Sequence, residues 1–300
     1  VSFAAVIGQA VSLFKDFAKT QAAVGQEFGA IGQKTAGIRD ELLKGNAEVM
    51  KIGKSITNLV TITTELTDNF GYSIEEAIGL QVAIADSATA LGIADQTAAK
   101  LHGTLTTLYG LGDETADIFL DQVAYLSRAG KVAPKTVLKD MAKSTEAIAK
   151  FMSDMPGNMA ATAVMAAKLG TNLTDVAGMM EGLLDFQSSF TKEIEAEILL
   201  GKDLNFNRAR ELAMANDTKG AMEEIVKQLG TEDEFLAMNY YQRKAIADIL
   251  KTDIGTVAKM IGKQNELRSL NDIIAGQKPL EGLIGTDSMD KLSIVLNDFK

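Results

Sequence analysis

The sequence is short of the residues on which most catalytic and metal sites depend. It contains no cysteine and a single histidine, His102. Without a thiol there is no disulfide framework, no thiolate metal site and no Cys/His dyad, and one imidazole rules out most zinc sites. We therefore predict no catalytic residues, no metal site and no cofactor, and we interpret His102 as an ordinary residue on a helix surface.

Proline and tryptophan are scarce as well, since proline occurs only three times and tryptophan not at all. Ala, Leu, Ile, Lys, Glu and Met dominate, which favours helices and predicts an all-α fold. No uninterrupted apolar run reaches the length of about 18 residues typical of a transmembrane helix, and no secretory signal is visible. Because the chain begins with Val1 and not Met, we expect it to be a piece of a longer protein.

The net charge of −10 is unevenly placed along the chain. Residues 1–70 hold seven basic and seven acidic residues, so the whole acidic excess lies in residues 71–300. A domain that reads a nucleic-acid sequence presents a basic face to the phosphates. The charge therefore argues against sequence-specific nucleic-acid binding.

Residues 3 to 70 carry an apolar seam with the alternating four- and three-residue steps of a heptad repeat. A 3.5-residue repeat winds helices into a left-handed supercoil, and the stripe needs partner helices to cover it. We predict a long coiled-coil rod. The apolar seam positions are Phe3, Ile7, Phe14, Phe17, Val24, Phe28, Ile31, Ile38, Leu42, Val49, Ile52, Ile56, Leu59, Leu66 and Phe70.

The composition of this seam predicts self-association into a homotrimer or a larger oligomer. Bulky Phe at one core position and β-branched residues at the other disfavour a two-stranded zipper. The glycines within residues 1–70 would leave the helix weak on its own. Gln21, Thr35 and Thr63 also fall on the seam, where they either set the register of the strands or are tolerated in a thick bundle.

After residue 70 the pattern changes to shorter helices and helical hairpins. Glycines at intervals predict turns, Ser73 with Glu76 and Thr231 with Glu234 match capping boxes, and Pro134 suits a first helical turn. We divide the chain into a rod over 1–70, helical hairpins over 71–182 and a further helical segment over 183–300. We predict a loop over residues of about 274–288. The predicted turn glycines are Gly71, Gly92, Gly112, Gly130, Gly170, Gly201 and Gly230.

Two clusters of residues have ordinary structural interpretations. Glu193, Glu195 and Glu197 fan around a helix at two-residue spacing, so we expect a solvated face and not a converging acid/base pair. The Ala- and Met-rich stretch over 155–180 is interrupted by charged residues. Methionine stripes of this kind usually form adaptable core, and we predict a core helix pair.

Several motifs in the stretch from Leu183 to Ile261 resemble the tail tape measure proteins of tailed bacteriophages, particularly contractile-tailed ones. They are LDFQSS from residue 184, EIEAEILLGKDLN from 193, RARELA from 208, Asp217 before Gly220, and NYYQRKA from 239. The resemblance covers residues 90–265 and is compatible with 1–70. Family members are generally much longer than 300 residues, which fits a piece of a larger chain.

The resemblance implies a structural role in the virion. Proteins of this family fill the lumen of the tail tube as helical bundles of several copies, set the length of the tail, and leave ahead of the DNA on infection. The implied partners are other copies of the chain, the tail tube protein and baseplate hub proteins, with transient contact to the host membrane. Assembly would place the protein in the host cytoplasm beforehand. The alternatives are a membrane-active, pore-forming helical protein and a tail-associated wall hydrolase, for which no acid/base set converges.

Overall fold

A computed structural model describes residues 41–42, 44–151 and 156–267. The seam positions up to Ile38, including Gln21 and Thr35, lie outside these residues, as does the loop predicted at about 274–288. All regular structure in the described ranges is helical and none of it is strand, which confirms the all-α prediction.

Fourteen α-helices have both of their ends defined within the described residues, together with short 3₁₀ turns at Met50–Ile52 and Gln264–Glu266. The helices are α1 (Ile56–Phe70), α2 (Ile74–Leu91), α3 (Asp95–Tyr109), α4 (Asp113–Ala129), α5 (Pro134–Lys143), α6 (Thr145–Phe151), α7 (Pro156–Leu169), α8 (Leu173–Leu184), α9 (Phe186–Leu200), α10 (Asn207–Met214), α11 (Thr218–Gln228), α12 (Glu232–Ala237), α13 (Tyr240–Ile249) and α14 (Ile254–Lys263).

The predicted turn and capping signals set the ends of most of these helices. Both capping boxes are present, and Pro134 occupies the first turn of α5. At the turn near residue 130 the positive φ belongs to Lys131 instead of the glycine. The predicted turn glycines that do adopt a positive φ are Gly71, Gly92, Gly170, Gly201 and Gly230.

The chain divides into two compact units, one ending at Asp117 and the other starting at Ile118, so the boundary falls within α4. In the first unit, α1 packs against both α2 and α3, and α2 packs against α3. Completely or almost completely buried aliphatic side chains form the core between them. They are Leu59, Ile62, Leu66, Ile84, Leu101 and Leu105.

The prediction of one continuous helix over residues 1–70 is wrong in its described part. Helical residues 44–49 run into the 3₁₀ turn at Met50–Ile52, and Gly53 then adopts a left-handed φ of 77°. The amide of Lys54 bonds back to the carbonyl of Val49 at 3.0 Å, as at a glycine-terminated helix end. A new helix, α1, begins after Ser55, whose backbone amide donates a hydrogen bond to Asn58 Oδ1 at 2.9 Å.

Four of the described apolar seam residues pack inside their own chain, whereas Ile52, Ile56 and Phe70 are half-buried. Leu42, Val49, Leu59 and Leu66 are completely buried within the first unit, where α1 contacts α2 and α3. Thr63 is also buried, and its hydroxyl donates to the carbonyl of Leu59 at 3.0 Å. For these positions the covering helices come from the same chain, and the oligomeric seam stays a prediction for residues preceding 41.

The second unit is a cluster of helices built around α7 and α8. Helix α7 packs against α5, α11 and α14, whereas α8 packs against α6 and α10. Met159, Met165, Met179 and Met180 are buried in α7 and α8, which confirms the predicted core role of the methionine-rich stretch. At the other side of this unit, α9 packs along α13.

Candidate interaction surface

Helix α9 is amphipathic, but it buries polar side chains and exposes large apolar ones, the reverse of most surface helices. Its buried face carries Ser189, Glu193 and Ala196, two of which are polar. Its solvent-exposed side carries large apolar side chains. A surface helix normally directs its apolar stripe into the core. In α9, other contacts must therefore stabilise the buried polar side chains, and the exposed apolar side chains indicate a binding surface.

The exposed apolar side chains form a slanting row on the helix surface. Phe186, Phe190, Ile194 and Ile198 are spaced four residues apart, so each lies next to the one before it, turned by about 40° around the helix axis. Ile194 is 56% exposed and Ile198 is 77% exposed, whereas the two phenylalanines are a little under half exposed. We call these four residues the α9 ridge. At 1.5 Å per residue it is about 18 Å long.

A buried ion pair fixes the polar side of α9. Arg210, on α10, is only 2% exposed and its Nη2 pairs with Glu193 Oε2. The same guanidinium donates to Ser189 Oγ through Nη2 at 2.8 Å and to Asn207 Oδ1 through Nη1 at 3.0 Å. Each buried charge therefore has several hydrogen-bond partners, which is the condition for tolerating it in the interior.

Carboxylates on the same side of α9 also bind the loop that follows it. Glu193 Oε1 accepts a hydrogen bond from the Phe206 amide at 3.2 Å, and Glu197 Oε1 accepts one from the Leu204 amide at 2.9 Å. The expectation of a solvated acidic face is thus wrong for Glu193, which is buried, and correct for Glu195, which is exposed. The i, i+4 pair holds the loop against the helix.

The ion pair reaches the ridge through Phe190. The Arg210 guanidinium carbon lies 4.0 Å from the centre of the Phe190 ring, within the range of a cation–π contact. On the ridge itself the Phe186 and Phe190 rings stack with centres 6.4 Å apart. The orientation of this end of the ridge is therefore set by the buried charge network beneath it.

More apolar surface adjoins the C-terminal end of the ridge. Helix α13 begins with the exposed pair Tyr240 and Tyr241, whose rings meet edge to face at 5.5 Å. The next residue, Gln242, donates its side-chain amide to the carbonyl of Leu199 at 3.0 Å, and Leu199 is itself half exposed. The ridge and the start of α13 together present apolar groups suited to contact another helix.

The only histidine is placed differently from the prediction. His102 is buried in α3, not exposed on a helix surface, and its Nε2 lies 2.9 Å from Asp113 Oδ1 at the start of α4. Its Nδ1 has no hydrogen-bond partner and lies 3.9 Å from Asp117 Oδ1. This contact ties α3 to α4 within the first unit.

The described residues contain neither a cluster of metal ligands nor a helix that could cross a membrane by itself. Across residues 41–42, 44–151 and 156–267, no group of three or more His, Asp or Glu side chains is arranged to hold a metal ion. In the same part of the chain no single helix has the length and hydropathy to cross a membrane. The bent pair α2 and α3, at 113° to each other, meets that criterion only when the two are taken together.

The chain matches no protein-family model, no curated protein and no solved structure.

Sequence reasoning missed both the pairing of Arg210 with Glu193 and the ridge. The four-residue spacing from Phe186 to Ile198 was visible in the sequence, but by itself it indicates a buried face.

Proposed function

We propose that this chain is a structural, non-enzymatic protein that acts through helix–helix association, as part of a phage tail tape measure protein. The observation that carries the proposal is the α9 ridge, a row of apolar side chains held outward by a buried ion pair. Exposed apolar rows of this kind mark surfaces that bind other proteins. The ridge also lies in the part of the sequence that resembles the tape measure family.

The charged residues of the family-like stretch support a structural role. Glu193 and Arg210 bind each other, and Glu197 binds the Leu204 amide. These side chains hold helices and loops together, which is the work expected of a scaffold. An enzyme would instead need such groups directed toward a substrate.

In this proposal the chain is a segment of a longer ruler in the lumen of the tail tube. Several copies would associate through the seam preceding residue 41, and the helical body would contact the tail tube protein and baseplate hub proteins. The protein would leave the tail ahead of the DNA. A ruler requires only a fixed rise per residue and a stable register.

The experiment that tests the proposal is a change of length in the intact gene. Removing one heptad from a helical part of the parent protein should shorten the tail by about 10 Å, because each helical residue rises by about 1.5 Å. Removing several heptads should shorten it in proportion, as measured in electron micrographs of purified tails. The control replaces the same heptads with unrelated helical heptads of equal length. Tails of unchanged length after deletion would refute the proposal.

A further inference from the structure

We propose that the α9 ridge and the apolar side chains beside it form an interface between two copies of this chain, packed antiparallel about a two-fold axis. The side chains beside the ridge are Leu199, Tyr240 and Tyr241, and we call the seven residues together the α9 patch. The pairing rests on the proposed function, because it names a partner for the surface that carries that proposal. It is separate from the predicted seam of residues preceding 41.

The α9 patch has the area that a stable dimer needs. Its seven residues are between 42% and 77% exposed. A large apolar or aromatic residue has a surface of roughly 200 Å², so the exposed fractions together amount to about 800 Å². The largest apolar patch on a typical monomer covers only about 300–600 Å², whereas a standard protein–protein interface buries about 800 Å² on each partner. Two copies that meet through the whole patch therefore reach the size of a specific interface.

The exposure of the ridge rises from its N-terminal to its C-terminal end, which suits antiparallel pairing. Phe186 and Phe190 are 42% and 43% exposed, whereas Ile194 and Ile198 are 56% and 77% exposed. When two ridges align antiparallel, Phe186 of one copy lies level with Ile198 of the other, and Phe190 lies level with Ile194. Each pair then joins a recessed aromatic ring to a projecting aliphatic side chain. Rows at four-residue spacing pack on one another in the commonest class of helix packing, with axes crossing at about 50°.

The two tyrosines lie where an antiparallel pair can use them. The start of α13 adjoins the C-terminal end of the ridge, where Gln242 Nε2 donates to the Leu199 carbonyl at 3.0 Å. In an antiparallel pair this end faces the N-terminal end of the other ridge, which carries the two stacked phenylalanine rings. Tyr240 and Tyr241 of each copy would therefore extend the contact at both ends of the paired ridges. A parallel pair would instead place all four tyrosines at one end.

The charge on α9 also favours the antiparallel direction. Glu195 is the only charged residue among the exposed positions of α9. In a parallel pair in register, the Glu195 carboxylates of the two copies would lie level with each other. Antiparallel alignment of the ridges separates them by six residues along the pair, which is about 9 Å. This separation lowers the electrostatic cost of self-association in a chain with a net charge of −10.

Sedimentation velocity of the full chain tests the interface. We expect the natural chain to associate reversibly and Ile194→Glu to raise the dissociation constant at least about tenfold, because each copy then places a carboxylate in the centre of an apolar contact. The matched control is Met50→Glu, since Met50 is also 56% exposed but lies outside the patch. Association through the predicted seam would persist in both variants. Equal dissociation constants for Ile194→Glu and the natural chain, or a natural chain that stays monomeric at about 100 µM, would overturn the inference.

Disulfide crosslinking tests the direction of the pair, because the chain has no natural cysteine. Full chains carrying Phe186→Cys or Ile198→Cys are oxidised separately and as an equal mixture, and the crosslinked peptides are identified by mass spectrometry. The mixed dimer should form at least about tenfold faster than either symmetric dimer, because antiparallel alignment keeps identical cysteines about 18 Å apart. Symmetric dimers that form as fast as the mixed one would contradict the antiparallel interface.

A fluorescence measurement distinguishes a second copy from other occupants of the ridge, because the chain has no natural tryptophan. In the full chain carrying Ile198→Trp, acrylamide quenching should decrease and the emission should shift to the blue as the protein concentration rises. Weak quenching at every concentration would mean that another part of the same chain covers the ridge. Strong quenching at every concentration would leave the ridge to a different protein, and either result would overturn the inference. None of these experiments depends on tail length, so this inference can fail while the proposed function stands.

Discussion

Replacing Arg210 with alanine is the sharpest test of how α9 is held. The change removes the partner of Glu193 and leaves that carboxylate buried, with the Phe206 amide still bound to it. It also removes the guanidinium from beneath the Phe190 ring. The ion pair would then no longer stabilise the polar face of α9 in its buried position.

The expected cost follows from the burial of both charges. Glu193 is 7% exposed and Arg210 is 2% exposed, so solvent screens the pair little. Breaking a buried ion pair by removing one partner costs about 3–5 kcal/mol. For a unit of this size that corresponds to a fall in melting temperature of about 10 °C.

The assay is urea unfolding followed by circular dichroism, together with hydrogen exchange of the peptides that cover α9 and α10. Hydrogen exchange is needed because the chain has two compact units and a single unfolding transition cannot be assumed. The control is Arg208→Ala, which removes an exposed ion pair to Glu211 on the same helix. Surface pairs of this kind contribute only about 0.5 kcal/mol.

Two results would refute the reasoning about this network. The first is an Arg210→Ala variant that unfolds at the same urea concentration as Arg208→Ala. The second concerns Arg210→Met combined with Glu193→Gln, which removes both charges and keeps an acceptor for the Phe206 amide. If the buried charge is the cause, this double variant recovers part of the lost stability. A further loss would point to another cause.

Other predictions follow from close contacts and from burial. Gly103→Ala places a Cβ about 2.4 Å from the Phe70 ring and should cost about 1–3 kcal/mol in urea unfolding, whereas Gly79→Ala, in an open helical position, should be neutral or stabilising. Burial raises the pKa of Asp140, despite the opposing hydrogen bond from the Leu173 amide. The folded state therefore keeps the Asp140 proton to higher pH than the unfolded state, and stability falls as pH rises through the folded pKa. Relative to the natural chain, Asp140→Asn should gain stability as the pH rises above about 4, the ordinary pKa of an Asp in an unfolded chain, and pH-dependent urea unfolding would measure this gain.

Local signals predicted the helical class and many helix ends correctly. Ser73 and Thr231 cap their helices as predicted, because the capping box is a contact between residues three apart. Gly92 and Gly201 likewise end helices in the left-handed conformation. Such features depend on neighbours in the chain and need no knowledge of the fold.

The seam shows why longer patterns were harder to interpret. A heptad repeat indicates only that one face of a helix is apolar, and it does not identify the helix that covers this face. Leu59 and Leu66 satisfy the pattern by packing in the three-helix core of α1, α2 and α3. The pattern also passes through Gly53, where a left-handed turn ends the helix without changing the spacing.

The buried polar residues depended on contacts that the sequence does not reveal. His102 is paired with Asp113 across a helix boundary, and Glu193 is paired with Arg210 from the next helix. Buried charges were unexpected at either place, since isolated charged side chains rarely lie inside a protein. Only the packing of one helix on another brings these partners together.

The orientation of α9 and the size of its ridge bear on what can cover it. Full burial of a large apolar side chain contributes about 1.5–3 kcal/mol, so completing the burial of four half-exposed residues contributes about 4 kcal/mol. A covering stripe of similar size contributes a comparable amount. A separate molecule loses about 4–15 kcal/mol in translational and rotational freedom, which offsets most of this gain.

A helix from a separate molecule must therefore bring contacts beyond the four ridge residues, and the exposed Tyr240 and Tyr241 beside Leu199 are placed to provide them. Association through the ridge should therefore depend on these tyrosines as well as on the four ridge residues.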